Sequence, residues 1–236
     1  MKRMTSRDYI KTVLSVYRLV SVLSDKNSCQ VLRLRHRQTE QDLVLRSFAE
    51  PVEAYEILCH IRCENLPLVY DVIPTEDGQI VLEEYIDGLT VAQVLETGTY
   101  RLRGARKVIS GVCAGLTVLH SNGIVHRDVK PENVVIGPMG RVVLIDFNAS
   151  RMIRPVSRDT VIMGTVGYAS PEQLGLSQSD ARTDIYATGV LLNVMLTKKH
   201  PTQAFAPGHA GRVVRKCTAL NPKDRYPSAK KLSDAL

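Results

Sequence analysis

Residues 126–133 read His126-Arg127-Asp128-Val129-Lys130-Pro131-Glu132-Asn133, and Asp146-Phe147-Asn148 begins thirteen residues after Asn133. Asp128 and Lys130 stand two apart, so in an extended loop both side chains can address one substrate. The carboxylate suits orienting a hydroxyl and taking its proton, and the ammonium suits balancing a phosphoryl oxygen. Asn133 and Asp146 are hard oxygen donors, the kind Mg2+ takes when it binds nucleotide phosphates through a few protein oxygens and waters. For any one of these residues alone, a polar loop with ordinary ion pairs is the competing explanation.

The pattern on either side of this run predicts two lobes. C-terminal to it, Val134–Ile136 and Val142–Ile145 form a small hairpin around Gly137-Pro138-Met139-Gly140. Before it, Arg103–Ser121 is a helix whose Val108, Val112, Leu116 and Leu119 make one apolar stripe, with a shorter helix at Thr90–Glu96. Residues 184–196, Gly211–Thr218 and Ser228–Leu236 add further helices. The first 86 residues read differently. A short helix over residues 8–16 precedes strands at Tyr17–Leu23, Gln30–Leu34 and Asp42–Ser47. Pro51–Arg62 returns to helical spacing behind its proline, and Leu68–Ile73 and Gln79–Glu84 are strands joined by Thr75-Glu76-Asp77-Gly78. The expectation is an α+β chain, with a small antiparallel-sheet lobe over 1–86 and a mainly helical lobe over 87–236.

The bulk numbers bound the function. The chain has 236 residues, 44% hydrophobic and 23% charged, an ordinary globular balance. No stretch approaches the ~18 uninterrupted apolar residues of a membrane span. The opening Met1-Lys2-Arg3-Met4 is basic, but the charges of Asp8 and Lys11 come where a signal peptide would carry its apolar run. The net charge is +7, yet its basic residues are dispersed and no row of exposed aromatics accompanies them, which argues against nucleic acid. Five scattered cysteines point to reduced thiols and a cytoplasmic setting. Cys59 and Cys63 lack the second ligand pair of a zinc site.

Over nearly its whole length the sequence resembles the eukaryotic-type (Hanks-type) serine/threonine protein kinases, and His126–Asn133 is similar to their catalytic loop without a gap. The resemblance implies a bilobal fold, ATP and Mg2+ as cofactors, and a protein substrate. It makes Asp128 the base that orients the substrate, Lys130 the contact to the transferred phosphoryl group, and Asn133 and Asp146 the metal ligands. Asp146-Phe147-Asn148 is similar to the family's Asp-Phe-Gly, with Asn148 as a residue that tolerates left-handed angles in place of glycine. Gly164-Thr165-Val166-Gly167-Tyr168-Ala169-Ser170-Pro171-Glu172 resembles the end of the activation segment, with Ser170 where alanine is usual. Thr165 stands where such kinases reach toward the catalytic Asp and Lys, which supports serine or threonine acceptors. By the same likeness Glu172 pairs with Arg225, and Asp184 braces the catalytic-loop backbone. Arg127 can pair with a phosphate on the activation segment, with Ser157 and Thr160 as candidate autophosphorylation sites or as plain solvated hydroxyls.

The N-terminal half departs from the family pattern. Ser24, Lys26 and Cys29 occupy the glycine positions of the loop that covers the phosphates, which removes backbone freedom there. Arg46 replaces the lysine that meets the α- and β-phosphates, a longer and planar cation. Its helical partner is Glu56 or Glu53, with Glu56 preferred because it leads the Ile57-Leu58 contact pair. Val81–Gly88 resembles the hinge strand, which places Glu84 and Ile86 beside the nucleotide and Glu83 where an apolar gatekeeper is common. Two registers are open: Glu83 buried with Arg46 as its partner, or Leu82 inward and Glu83 outward. The stretch from Thr197 to the next helix is short, so by this resemblance the usual substrate-side insert is trimmed. The two function classes are an atypical active kinase and a pseudokinase acting as a nucleotide-binding or scaffolding module. An Arg46 locked on Glu83 favours the second.

Overall fold

The computed structural model describes residues 5–26, 28–153, 167–174 and 180–236. The candidate phosphoacceptors Ser157 and Thr160, and Thr165 of the stretch that resembles an activation segment, lie outside the described residues, as does Asn27. The chain divides into two compact units, Met1–Arg62 with Pro67–Ile86, and Cys63–Leu66 with Asp87–Leu236. The first is an antiparallel-sheet lobe and the second is mainly helical, the bilobal arrangement of protein kinases.

In the first unit, α1 (Ser6–Val16) precedes a five-stranded antiparallel sheet in the order β1-β2-β3-β5-β4. Its strands are β1 (Tyr17–Lys26), β2 (Cys29–His36), β3 (Asp42–Phe48), β4 (Val69–Thr75) and β5 (Gly78–Glu84). Thr5 caps α1 by accepting the Asp8 N–H at 3.2 Å, and Ser6 fixes the helix start to the β4–β5 turn through Asp77 and Thr75. The helix presents Tyr9, Ile10, Val13 and Leu14, spaced for one face, to a core of Leu32, Leu34, Leu43, Leu45 and Ile80. Because strand side chains alternate, Val44, Arg46 and Phe48 face the other way. There Phe48 meets Tyr55 of α2 (Ala54–Leu58), ring centroids 5.6 Å apart.

Helix α2 is shorter than the span expected over Pro51–Arg62. It has five residues, and past Leu58 the chain tightens into bonds to residues three back, from His60 to Ile57 and from Ile61 to Leu58. The next stretch, Cys63–Leu66, belongs to the second unit: Asn65 Nδ2 donates to Val142 O at 2.8 Å, and Leu144 N–H donates to Asn65 O at 3.0 Å.

The second unit opens with β6 (Leu89–Thr90) and α3 (Val91–Thr97), which begins in a Thr90/Gln93 capping box. The long α4 (Leu102–Ser121) buries Val108, Val112, Leu116 and Leu119, the stripe legible in the sequence. Each such side chain, fully buried, contributes about 1.5–3 kcal/mol. After β7 (Ile124–Val125) and a 3-10 turn at Pro131–Asn133 come β8 (Val134–Ile136) and β9 (Val142–Leu144), paired antiparallel with Val134 opposite Leu144. The short β10 (Arg151–Met152) pairs with β7. A second 3-10 turn, Pro171–Leu174, precedes α5 (Ala181–Thr197), α6 (Gly208–Cys217) and α7 (Ala229–Asp234). Helix α5 is buried on most sides, and α6 comes so near that a Cβ on Gly189 would stand 2.3 Å from Cys217 Cβ. Among the described residues, no helix is long and apolar enough to cross a membrane.

Candidate functional site

Asp184 organises the loop after β7. Its side chain is fully buried, and Oδ1 accepts the Arg127 N–H at 2.8 Å while Oδ2 accepts the His126 N–H at 2.9 Å and stands 2.8 Å from His120 Nε2. The expected bracing of the loop is thus made by both carboxylate oxygens. Burial pushes this carboxyl up, but the hydrogen bond and charge of His120 and the contacts with His126 outweigh it, and Asp184 titrates below the usual aspartate value.

His126 carries the brace forward. Its Nδ1 accepts the Asp128 N–H at 3.3 Å and its Nε2 donates to Ile145 O at 3.1 Å, a neutral tautomer with both nitrogens used. Burial holds its pKa down against nearby carboxylates. The ring packs edge-on to Phe147, 5.3 Å between centroids. One imidazole therefore ties the start of the loop to the chain around Asp146.

Past this anchor, Asp128, Lys130 and Asn133 converge. Lys130 Nζ lies 2.7 Å from Asp128 Oδ2, and Asn133 Nδ2 donates to the same oxygen at 2.8 Å and to Asp128 O at 2.8 Å. Since Nδ2 is spent on Asp128, Asn133 offers Oδ1 as its remaining polar atom. Asn133 is also next to Asp146 in the fold, because Ile145 N–H donates to Asn133 O at 2.9 Å. The pairing of β8 with β9 brings the two residues to one end of a hairpin. An amide oxygen and a carboxylate at that end fit Mg2+, which binds through few protein oxygens when phosphates and waters supply the others. Among the described residues, no set of three or more His, Cys, Asp or Glu could hold a metal, so a closed protein cage is not what this hairpin end provides.

Two residues here adopt left-handed backbone angles, Arg127 at φ 68° and Asp146 at φ 69°. The glycine-like conformation expected of Asn148 is thus found two residues earlier, at Asp146; Asn148 keeps a negative φ and its N–H reaches Asp146 Oδ1 at 3.4 Å. Aspartate tolerates that region because its short side chain bonds locally. Arg127 is held there with Nε and Nη2 buried and without hydrogen-bond partners among the described residues. Burial first, and the neighbouring Arg151 second, depress its pKa.

The expected Glu172–Arg225 pair is formed, bidentate at 2.5 and 2.9 Å and buried. Thr183 Oγ1 adds a third bond to Glu172, at 3.1 Å.

Arg46, Glu56, Glu84 and Ile86 lie in the first unit. Arg46 Nε is 2.6 Å from Glu83 Oε1, and the two residues are 5% and 2% exposed. The register with Glu83 buried is therefore the one adopted, while Leu82 packs on the α1 side. The anticipated Arg46–Glu56 pair is not formed. Helix α2 buries Ala54, Tyr55 and Leu58, which turns Glu56 to the solvent side, and Glu56 makes no side-chain ion pair among the described residues. Glu84 accepts the Leu68 N–H on its side chain at 3.1 Å, and Ile86 is half-buried at the end of the unit. Two residues with clear structural work, His120 and Gln173, carry no signal in the sequence; their partners are 64 and 46 positions away.

Comparison with known proteins agrees with this geometry. Residues 16–236 match the family model described as a protein kinase domain, so most of α1 precedes the matched segment. Serine/threonine-protein kinase PknB of Mycobacterium tuberculosis is 33% identical over 200 residues, covering 70% of this chain and 32% of that protein. Serine/threonine-protein kinase PknL of the same species is 34% identical over 196 residues, covering 71% of this chain and 49% of that protein. PknB of Mycolicibacterium smegmatis is 32% identical over 193 residues, 68% of this chain and 31% of its own length. The chain thus spans about a third of the length of its PknB relatives. A matched segment that reaches from the end of α1 to the last residue places this chain in the protein kinase domain family.

Proposed function

We propose that this chain transfers the γ-phosphoryl group of ATP, with Mg2+, to serine and threonine hydroxyls of protein substrates, and that its two units are the N-lobe and C-lobe of one catalytic domain. The observation that carries the reading is the shared oxygen of Asp128, bonded to both Lys130 Nζ and Asn133 Nδ2. In this reading Asp128 orients the acceptor hydroxyl and takes its proton as the new P–O bond forms and the bond to ADP breaks. Lys130, already within 2.7 Å of that carboxylate, balances the charge on the transferred phosphoryl oxygens. Asn133 and Asp146 hold the metal, which when bound neutralises phosphate charge. In the first unit, Arg46 is assigned to the α- and β-phosphates, and Glu84 and Ile86 to the nucleotide. Glu83 takes the partner role expected of Glu56.

Arg127, buried beside Arg151, suits a phosphate carried by Ser157 or Thr160. The names of the relatives support serine and threonine as acceptors. Five free cysteines fit a reducing, cytoplasmic setting.

The Arg46–Glu83 pair favours a second reading, a pseudokinase that binds nucleotide or partners without turnover. Labelled ATP decides between them. Transfer to the protein itself or to a generic protein acceptor, lost in Asp128→Ala, supports the enzyme. No transfer by a folded protein across a broad range of metals and acceptors leaves the pseudokinase.

A further inference from the structure

The main-chain carbonyl of Arg127 is held by a residue outside the catalytic loop. Gln173 Nε2 donates to it at 2.9 Å, while Gln173 Oε1 accepts the Ser170 N–H at 3.0 Å and Ser170 Oγ at 3.3 Å. The amide has one possible orientation, since only Nε2 can donate to a carbonyl and only Oε1 can accept from an N–H. Gln173 and Ser170 are 1% and 0% exposed, so these bonds are made without competing water.

The carbonyl concerned belongs to the peptide that joins Arg127 to Asp128. Arg127 has φ 68°, a conformation that persists only where the surroundings impose it. Its N–H is on Asp184 at 2.8 Å, and the Asp128 N–H is on His126 Nδ1 at 3.3 Å. With Gln173 in place, this peptide is gripped at its oxygen as well as at its N–H. Gln173 is itself fixed, because the adjacent Glu172 is clamped by Arg225 at 2.5 and 2.9 Å.

We propose that Gln173 is a positioning residue for phosphoryl transfer, locking the Arg127–Asp128 peptide so that the Asp128 carboxylate meets the acceptor hydroxyl. The proposal rests on the phosphotransferase reading above. It also makes Gln173 a direct link from the turn after the activation segment to the catalytic loop.

Two variants separate positioning from folding. Gln173→Leu removes both polar functions. Gln173→Glu keeps the acceptor toward Ser170, but when ionised it cannot donate to Arg127 O. Burial raises the pKa of such a carboxyl, and its protonated form regains the donor. Gln173→Leu is expected to lower kcat about 10-fold at every pH with KM for ATP unchanged. The kcat of Gln173→Glu, relative to the parent protein, is expected to recover as pH falls from about 9 to about 6. A merely structural role predicts no such recovery, and a flat ratio overturns the proposal. Amide hydrogen exchange supplies a readout independent of turnover. Residues 126–130 should exchange about 10-fold faster in Gln173→Leu, while α5 exchanges as in the parent. Unchanged exchange across 126–130 overturns the positioning role whatever the activity. Faster exchange in a protein that transfers no phosphoryl group leaves the grip of Gln173 standing and removes the phosphotransferase reading instead.

Discussion

Arg46 and Glu83 form a diagonal pair across β3 and β5: Glu83 stands opposite Val44, Arg46 stands opposite Val81, and Nε meets Oε1 at 2.6 Å. Diagonal neighbours on one face of a sheet are within reach of long side chains, so the register of these two strands alone creates the contact. Arg46 is thus paired with a carboxylate of the neighbouring strand β5. Glu83→Leu is expected to destabilise the protein by about 3–5 kcal/mol in denaturant unfolding, because it strips a buried guanidinium of this carboxylate. The double variant Arg46→Met with Glu83→Met should be nearly as stable as the parent, with weaker ATP binding. Glu56→Gln should change neither quantity. A double variant as unstable as the single would show that the charge pair is not the source of the loss.

The Glu172–Arg225 clamp gives stability that acid should remove. Burial alone would raise the Glu172 carboxyl, but the hydrogen bond and charge of Arg225, together with hydrogen bonds from the backbone and from Ser170, more than reverse this, leaving it below the ordinary 4.5. A carboxyl whose folded pKa is depressed stabilises fully above its unfolded value and loses that contribution as pH falls through the folded one. In urea unfolding, the gap between the parent and Glu172→Gln should be widest near neutrality and close as the pH drops below 4.5. A gap independent of pH would rule out the ionised pair as its cause.

Asp42 offers a second acid-sensitive contact, in the other unit. The hydrogen bond from Arg35, opposed by burial and reinforced by Arg33, lowers its pKa from 3.8 to about 2. Its contribution should be complete above 3.8 and vanish as the pH approaches 2. Asp42→Asn should therefore be less stable than the parent at about pH 5 and converge with it across that window. Unfolding midpoints measured through the window test the sign directly.

On the proposed reading, Asp128 and Asp146 should fail differently. If Asp128 is the base, Asp128→Asn is expected to cost about 10²–10⁴ in kcat while nucleotide still binds. Asp146→Asn should abolish the Mg2+-dependent part of the thermal shift caused by ATP, as chelation of the metal should in the parent. Equal loss of ATP binding in both variants would contradict this division of labour.

Much of the fold and of the candidate site is legible along the chain. Asp128, Lys130 and Asn133 lie within six residues, so loop geometry alone brings them together. The strands of the first unit and the stripe of α4 arise from periods of two and 3.6 residues. The apolar spacing of α2 continues past Leu58 and predicts too long a helix, because Cys63–Leu66 is drawn onto Val142 and Leu144 of the second unit. Asn148 is the natural candidate for a left-handed residue by type, yet the anchoring of Ile145 and Phe147 around His126 puts that conformation on Asp146.

What the sequence by itself determined is the family and the clustering of Asp128, Lys130 and Asn133, because these depend on neighbours along the chain. What only the tertiary structure decided is which partners Arg46, His120 and Gln173 take. Arg46 chose Glu83 over Glu56, His120 found Asp184, and Gln173 found Arg127, across 37, 64 and 46 residues. A buried polar group must be matched by whatever the fold places within about 3 Å of it, and strand register and helix packing set that placement.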